Sequence, residues 1–269
     1  MTTGFALYQI DAFADAVFRG NPAAVCPLDR WLPDNVMQKI AAENNLSETA
    51  FFVAEGGVGH YRLRWFTPKA EVKLCGHATL ATAWLIFERM APGAERLHFE
   101  TMSGPLGVTH DDGLLVMDFP ALPGKPCPTP EGLTAGLGRT PERVLIADKY
   151  LAVFGKAAEI AAIAPDFAAI ECLGRGVAVT APGDDCDCVS RYFAPHLGIP
   201  EDPVTGSAHC TLIPYWSRRL GRKRLEAFQA SSRGGELVCE ERGDRVWIAG
   251  RVAKYLEGVI EIQESSSSR

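Results

Sequence analysis

The sequence predicts an α+β fold in which one αβ unit occurs twice. Residues 64–81 read RWFTPKAEVKLCGHATLA, and residues 191–211 read RYFAPHLGIPEDPVTGSAHCT. Both contain Arg, an aromatic residue, Phe, a small residue and Pro, followed by a loop, a Gly and an apolar run. The offset of about 130 residues is close to half of the chain, as expected for an internal duplication. We therefore expect two pseudo-symmetric domains, each a strongly curved sheet around a central buried helix.

The first copy contains the clearest strand and the clearest helix. Tyr61, Leu63 and Trp65 alternate with arginines, which is the period of two that a half-buried strand shows. Residues 77–87 are apolar on nearly every side, and a helix tolerates this composition only when it is buried all round. No G-x-G-x-x-G sequence opens a turn between strand and helix, so the pattern favours an α+β fold over a dinucleotide-binding fold.

The second copy is expected to place its helix over residues 207–220. Pro214 lies inside this segment and predicts a kink, because proline lacks the backbone N–H group. Basic residues are concentrated in 218–224, around Gly221. We interpret this run as a helix end, where cations complement the helix dipole before a glycine C-cap. The run is too short, and too poor in aromatic residues, to indicate a nucleic-acid site.

The duplication divides the chain into two domains. The segments that flank the two helices match in the same order, including a Ser-Gly-rich turn after the next strand. We expect the first domain over residues 1–112 and the second over 113–264, followed by a disordered serine-rich tail at 265–269. A C-terminal strand near 258–264 could instead return to the first domain, and the sequence leaves this open.

Composition and charge exclude several classes of function. The chain has 27 basic and 33 acidic residues, a net charge of −6, and 47% hydrophobic residues. A mildly acidic surface repels phosphate polymers, so we expect no nucleic-acid partner. The longest apolar stretch, residues 78–87, is about half the length that spans a bilayer, and the N-terminus lacks the basic region of a signal peptide. We therefore expect no membrane association.

The eight cysteines show no paired spacing. Cys186 and Cys188 form only a C-x-C, and the second pair that a zinc ribbon needs is missing. Free thiols are typical of a reducing compartment. We therefore expect a cytoplasmic protein.

Each copy begins its buried helix with a glycine. Gly76 precedes His77 in the first copy, and Gly206 precedes Ser207 in the second. The first turn of a helix offers unpaired N–H groups at the positive end of the dipole, and glycine lets a ligand approach the backbone closely. If the copies face each other, the two helix starts converge on one cleft. One such glycine is commonly structural, but two at matching positions indicate a site for a small carboxylate.

Three residues could supply proton chemistry. Glu48 lies at the mouth of an apolar strand, where apolar surface raises the pKa of a carboxyl group; the alternative is a solvated loop glutamate. Asp202 precedes a proline and is either a second acidic group or a turn-forming residue. His77 lies in the first helical turn, whose dipole lowers the pKa of an imidazole. It is either a neutral donor or relay, or a buried hydrogen-bonded histidine.

Cys75, just before Gly76, is either a thiolate base or a small buried apolar residue. Its counterpart in the second copy is Thr205, whose hydroxyl group is too weak a base for a symmetric dithiol mechanism. Metal binding by Cys75, His77, His209 and Cys210 is disfavoured, because these residues lack the spacing of a structural zinc site. We therefore expect no metal.

The longer motifs resemble the phenazine-biosynthesis PhzF-like family, whose fold is shared with diaminopimelate epimerase. The resemblance implies two pseudo-symmetric αβ domains with a cleft between them, a homodimer, and neither a metal nor an organic cofactor. It covers nearly the whole chain, and the combination of motifs is specific where any single one is weak. The matching segments are IDAFADAVFRGNPAAV at 10–25, MQKIAAENNLSETAFF at 37–52, FTPKAEVKLCGHATLA at 66–81 and EDPVTGSAHC at 201–210.

The resemblance also implies roles for individual residues. In the phenazine enzyme, the glutamate of the N-L-S-E motif shuttles a proton during an isomerisation, and that position is Glu48 here. This chain departs from the phenazine enzyme at two places: it has Cys75 and Ala78 around the Gly-His pair, where that enzyme has Ala and Pro, and Pro203 after the aspartate, where that enzyme has Ala. The acid–base glutamate therefore transfers, while the phenazine substrate does not. The remaining matched positions are Gly76, His77, Asp202, Gly206 and Ser207.

Three hypotheses follow for function. The leading one is a cofactor-independent isomerase or epimerase that moves a proton on a small carboxylate-bearing substrate, with Glu48, His77 and Asp202 as catalytic residues. In it, the carboxylate is held at the two helix starts and beside Cys75. The second is a non-catalytic binding or scaffold protein of the same fold, which predicts a fully exposed Glu48. The third is a racemase that uses Cys75 together with Glu48.

Overall fold

The computed structural model describes residues 2–263; the predicted disordered tail, 265–269, lies outside them. The first half of the chain is a mixed set of strands and two helices. The strand predicted around Tyr61–Trp65 and the buried helix predicted from His77 are both present. The elements in chain order are β1 (Thr2–Ala12), β2 (Asn21–Leu28), α1 (Asp34–Asn44), β3 (Glu48–Ala54), β4 (His60–Phe66), β5 (Glu71–Val72), α2 (Gly76–Leu85), β6 (Arg96–Thr101), β7 (Gly104–Asp111) and β8 (Leu114–Pro120).

The second half repeats this order and adds short helices between its strands. Its elements are β9 (Lys125–Cys127), α3 (Leu133–Leu137), β10 (Arg143–Ile146), β11 (Tyr150–Val153), α4 (Ala157–Ala161), α5 (Phe167–Glu171), β12 (Val177–Pro182), β13 (Cys188–Ala194), β14 (Ile199–Glu201), α6 (Gly206–Leu220), β15 (Arg224–Gln229), β16 (Gly235–Arg242), β17 (Arg245–Gly250) and β18 (Val252–Gln263). A π-helical turn, Ile86–Met90, extends α2, and a 3₁₀ turn, Pro195–Leu197, precedes β14.

The strand pairings are duplicated as closely as the sequence motifs. In the first copy β1–β2 is antiparallel, β2–β3 parallel, β3–β4 antiparallel, β4–β6 parallel, and β6–β7–β8 antiparallel. In the second copy β10–β11, β11–β12, β12–β13, β13–β15 and β15–β16–β17 repeat these directions in the same order. An antiparallel pairing of β8 with β17 joins the two copies. The duplication therefore extends to the hydrogen-bonding pattern.

Each copy receives its last strand from the other. β9 follows β8 in the chain but pairs with β10, and β18 follows β17 but pairs with β1. The C-terminal strand thus returns to the first copy, and it begins earlier than residue 258, at Val252. The domain boundaries at 1–112 and 113–264 stay a prediction. This exchange holds the two halves together through main-chain hydrogen bonds.

The two long helices lie at the centre of the sheets. Eight of the ten residues of α2, from His77 to Leu85, are buried, which its apolar composition predicts. Helix α6 continues through Pro214 to Leu220 and ends at Gly221, which has a left-handed φ of 67°, as the predicted helix end requires. The kink expected at Pro214 stays a prediction. Among residues 2–263, no helix is both long and apolar enough to cross a membrane.

Candidate active site

The starts of α2 and α6 meet between the two halves of the molecule. A Cβ atom added to Gly76 would lie 3.7 Å from the Gly206 Cα atom. The N-cap residues, Cys75 and Thr205, make no side-chain capping hydrogen bond to their helices. Both positive helix ends are therefore directed toward one small region, as the two-copy arrangement predicts.

Glu48 is the first residue of β3, and its side chain is buried with only 10% exposed. Burial and, to a smaller extent, the negative charge of Asp202 raise the pKa of its carboxyl group to about 8, against the opposing effect of a hydrogen bond with Cys75. The interpretation of Glu48 as a solvated loop residue is therefore wrong. A carboxyl group with this pKa can both take and return a proton near neutral pH.

His77 lies in the first turn of α2, with its Nε2 atom 3.2 Å from Glu48 Oε2. The two atoms are close, but they are not aligned as a hydrogen bond. Burial lowers the pKa of His77 to about 3, so the imidazole is neutral at physiological pH. A lowered pKa was also expected from the helix dipole, but the cause of the shift is burial.

Asp202 follows β14 and comes from the second copy. Its Oδ1 atom accepts a hydrogen bond from Asn21 Nδ2 at 2.7 Å, and its Oδ2 atom accepts one from Thr205 Oγ1 at 2.5 Å. Burial raises the pKa of Asp202 to about 6, although these two hydrogen bonds lower it. Asp202 is therefore a buried member of the cluster and does more than form a turn before Pro203.

Cys75 is fully buried against the same cluster, with Sγ 3.5 Å from His77 Nδ1. Burial raises the pKa of its thiol well above the usual value, and the charge of Glu48 raises it further. Of the two alternatives for Cys75, the buried residue fits this environment better than the thiolate base, because burial and the carboxyl groups oppose the effect of the helix dipole. Cys75 is a neutral thiol that can pack against, or donate to, its neighbours.

A metal fits this cluster poorly. One ligand atom each from Glu48, Cys75 and His77 lies within 4.8 Å of the other two. However, Cys75 lies beside Nδ1 of the imidazole and Glu48 beside Nε2, so the two residues face opposite ring nitrogens. The expectation of a metal-free site stays a prediction.

Ser207 occupies the position on α6 that His77 occupies on α2, and its carbonyl group accepts a hydrogen bond from Lys149 Nζ at 3.3 Å. Lys149 is buried and also pairs with Asp148 at 2.6 Å.

Sequence reasoning missed Lys149 and Asn21. Asn21 lies inside the matched segment at 10–25, and that match was the signal that could have identified it. The sequence around Lys149 carries no comparable signal.

The strand registers show which residue of the second copy corresponds to Glu48. Phe66 on β4 pairs with the residue after Glu48, and its counterpart Phe193 on β13 pairs with the residue after Gly176. A glycine therefore stands at the position of the glutamate. A Cβ atom there would overlap the hydroxyl oxygen of Tyr192, so a buried tyrosine fills the space of the missing side chain.

Asp202, in turn, has no acidic counterpart in the first copy. In each copy an arginine of one strand makes a bidentate salt bridge to a glutamate of the next, and the residues after the two glutamates are Val72 and Asp202. The first copy thus contributes Glu48 and His77, and the second contributes Asp202. The bridges that establish this correspondence are Arg64 with Glu71, and Arg191 with Glu201.

Arg233 clamps the two halves beside the site. From the turn between β15 and β16, its Nε atom donates to the Gly20 carbonyl at 2.9 Å, and one terminal nitrogen lies 2.9 Å from the buried Asp11 carboxylate.

An open cleft of about 720 Å³ lies next to this clamp. Phe13 lines the cleft, and its ring would lie 3.8 Å from a Cβ atom on Gly206. The aromatic ring therefore lies between the cleft and the helix starts.

Comparison with known proteins identifies the chain as an isomerase with a diaminopimelate epimerase-like fold. The sequence profile described as "phenazine biosynthesis-like protein" matches residues 10–258. The chain belongs to this family, which confirms the resemblance of its motifs. It is 54% identical over 257 residues to a protein of Pseudomonas aeruginosa named an uncharacterized isomerase, covering 95% of this chain and 98% of that protein.

Solved structures confirm the fold. The crystal structure of a PhzF-family phenazine biosynthesis protein from Enterococcus faecalis superposes with a TM-score of 0.93 at 47% identity, covering 96% of this chain and 99% of that one. A protein of Pseudomonas aeruginosa described as a predicted epimerase superposes with a TM-score of 0.73 at 20% identity, covering 97% and 100%. The second likeness shows the fold alone.

Proposed function

We propose that this protein moves a proton on a small carboxylate-bearing substrate without a cofactor, and that Glu48 is its single acid–base residue. The observation that carries the proposal is the asymmetry of the two copies. Glu48 is buried with a pKa of about 8, and Gly176 stands at its pseudo-symmetric position. A one-base site suits the relocation of a proton from one atom of a substrate to another.

The position of the second copy that corresponds to Glu48 holds no base. Tyr192 occupies the space beside Gly176, and burial, with the charges of Asp148 and Asp202, raises the pKa of its hydroxyl group above the usual value. The hydroxyl group therefore stays neutral and can act as a hydrogen-bond donor but not as a base. A racemase with two matched bases needs an acceptor on each side of the carbon, so this arrangement favours an isomerase that uses one face.

The helix starts would bind the substrate. The carboxylate would lie at Gly76, Gly206 and Ser207, where backbone N–H groups and both positive dipole ends converge. Negative charge that develops next to this carboxylate during proton removal would be stabilised by the same groups. His77 and Asp202 would position the reacting atoms or relay the proton.

The test is solvent-deuterium incorporation into a panel of cyclic carboxylates and amino acids, followed by NMR. Glu48→Gln keeps the shape of the side chain but cannot accept the proton, so we expect exchange to fall by about 10²–10⁴-fold. Glu43→Gln makes the same chemical change at an exposed position of α1 and should leave exchange unchanged. If Glu48→Gln exchanges as fast as the unaltered protein, the assignment is wrong.

The two alternative hypotheses make different predictions. A non-catalytic scaffold predicts a fully exposed Glu48, whereas the side chain is only 10% exposed. The racemase that uses Cys75 requires a thiolate, whereas burial raises the pKa of this thiol. Cys75→Ala should therefore retain exchange within about tenfold, because in our proposal the thiol contributes contacts and no proton transfer. Loss of exchange as complete as in Glu48→Gln would favour the racemase.

We also propose a homodimer formed through the outer edge of β18. Within residues 2–263 this strand pairs with β1 alone, and it exposes Tyr255 and Val259 by 49% and 69%. A twofold axis through the strand would pair it with its own copy in antiparallel orientation. Val259→Glu should give a monomer by light scattering, while Val58→Glu, at another exposed valine, should not change the mass. An unchanged mass for Val259→Glu would contradict this interface.

We place the protein in the cytoplasm on the state of its thiols. All eight cysteines lie within the described residues, and all are free. Five of them are buried. A reducing compartment keeps such thiols free.

A further inference from the structure

Asn21 is a fully buried amide at the point where the two halves of the molecule meet. It is the first residue of β2, and Gly20 before it has a left-handed φ of 62°. A Cβ atom on Gly20 would overlap the Ala12 carbonyl oxygen, so the turn that carries Asn21 into the interior requires glycine. A buried amide is costly unless it is hydrogen-bonded, and its partners therefore determine how it is oriented.

The amide nitrogen of Asn21 faces groups from both copies. Nδ2 lies 2.7 Å from Asp202 Oδ1 and 2.9 Å from the Val204 carbonyl oxygen, both in the second copy. It lies 3.2 Å from His77 Nδ1 in the first copy. A carbonyl oxygen only accepts hydrogen bonds, so the NH₂ group, and not the amide oxygen, must point toward Val204. The two hydrogens of this group serve three neighbours, of which the His77 ring nitrogen is the most distant, and an amide nitrogen has no lone pair that could accept a proton from Nδ1.

The orientation of this amide determines where the His77 proton lies. A neutral imidazole carries one proton, on either Nδ1 or Nε2. Nδ1 lies 3.2 Å from the Asn21 amide nitrogen, which donates and cannot accept, and 3.5 Å from the sulfur of Cys75, whose thiol also forms a hydrogen bond with Glu48. Nδ1 therefore accepts, and the proton is on Nε2, the atom 3.2 Å from Glu48 Oε2.

We infer that Asn21 is a positioning residue that holds His77 as the Nε2–H tautomer, so that a hydrogen-bond donor faces the Glu48 carboxyl group. The same amide nitrogen anchors Asp202, so one side chain aligns the acidic residues of both copies. When Glu48 is ionised, the Nε2–H group can stabilise its negative charge; the opposite tautomer would present a lone pair and repel it. The inference rests on the proposed function for the role of Glu48, but the tautomer can be established independently.

The experiment is two-dimensional ¹H–¹⁵N NMR of protein labelled with ¹⁵N-histidine, with His77 assigned through a His77→Gln variant. It needs no substrate, since the ¹⁵N shifts and couplings distinguish a protonated from an unprotonated ring nitrogen. In the unaltered protein we expect protonated Nε2 and unprotonated Nδ1 across pH 6 to pH 8. A His77 that is protonated on Nδ1 would overturn the inference.

Variants separate the effect of the Asn21 amide from that of the Cys75 thiol. Asn21→Leu removes the N–H group and keeps the approximate shape, so the His77 resonances should shift toward the average of both tautomers. Cys75→Ala is the matched control, because Asn21 remains, and it should keep the Nε2–H pattern. If Asn21→Leu does not fold, Asn21→Asp replaces the donor with an acceptor of the same shape and should favour the Nδ1–H form. An unchanged pattern in the Asn21 variant that folds would overturn the inference.

This test and the test of Glu48 fail separately. An Nδ1–H tautomer together with an inactive Glu48→Gln variant would remove the role of Asn21 and leave the proposed function intact. An Nε2–H tautomer together with a fully active Glu48→Gln variant would remove the proposed function and leave the positioning of His77 by Asn21 intact.

Discussion

Replacing Glu48 with glutamine should stabilise the protein at alkaline pH. The pKa of Glu48 is about 8 in the folded protein and 4.5 in a solvated glutamate. The folded state therefore binds more protons than the unfolded state between these two values, so stability is lost as pH rises from 4.5 toward 8. At about 1.4 kcal/mol per pKa unit, the ionised side chain costs the folded protein about 5 kcal/mol above pH 8. Glutamine keeps the shape and never ionises, so the variant escapes this cost.

The assay is chemical unfolding of the unaltered protein and of Glu48→Gln at pH 6 and at pH 9. Between pH 6 and pH 9 the cost of ionising Glu48 in the folded protein grows by the equivalent of about two pKa units. The difference in free energy of unfolding between the two proteins should therefore change by about 3 kcal/mol in favour of the variant. Asp202 and His77 are present in both proteins, so most of their contribution to the pH dependence of stability cancels when the two proteins are compared. Glu43→Gln, exposed on α1, should follow the unaltered protein at both pH values. A difference that stays constant between pH 6 and pH 9 would refute the reasoning.

Three other perturbations examine the base, the helix starts and the clamp. Solvent-deuterium exchange should rise with pH through about 8, because Glu48 accepts a proton only when ionised, and a flat profile from pH 6 to pH 9 would contradict this. Gly76→Ala should keep the free energy of unfolding within about 1 kcal/mol, since alanine favours helix and the new methyl group lies at ordinary contact distance, 3.7 Å, from Gly206. It should nevertheless lose exchange, because the methyl group fills the space between the helix starts. Arg233→Met should lower the free energy of unfolding by about 3–5 kcal/mol, because it leaves the buried carboxylate of Asp11 without its cationic partner, with the Phe18 N–H group still donating to it.

Two controls bear on the last two perturbations. Arg242→Met removes an arginine that is 45% exposed and pairs with the partly exposed Glu240, so it should change the free energy of unfolding by less than about 1 kcal/mol. Equal losses for Arg233→Met and Arg242→Met would show that the clamp contributes no special stability. For Gly76→Ala, exchange at the rate of the unaltered protein would show that the substrate does not bind between the helix starts.

The fold was predictable from the sequence because its signals are local and occur twice. The alternation around Tyr61 and the apolar segment after Gly76 each follow from a single periodicity, and the repeated Arg-aromatic-Phe motif relates the two copies. The exchange of last strands between copies was not predictable in the same way. It depends on which edge β9 and β18 reach, and their own residues do not specify that partner.

The candidate site was predictable in its parts but not in its electrostatics. The sequence identifies Glu48, His77 and Asp202, but it leaves the state of Cys75 open, because the helix dipole is visible in the chain order while burial is not. Asn21 was missed for a related reason. Its role depends on contacts with residues 181 and 183 positions away, and no local pattern records them.

The asymmetry between the copies explains why a duplicated fold can use one base. The register places Gly176 opposite Glu48, and the hydroxyl group of Tyr192 fills the space that a second carboxyl side chain would need. An ionisable group there would have to displace a buried aromatic ring, so the second copy cannot recover a base by one substitution. The second copy instead contributes Asp202, whose counterpart is Val72. In the proposed function both helix starts hold one anion, which accounts for a glycine at each of them, whereas the proton chemistry needs a single carboxyl group and can therefore reside in one copy.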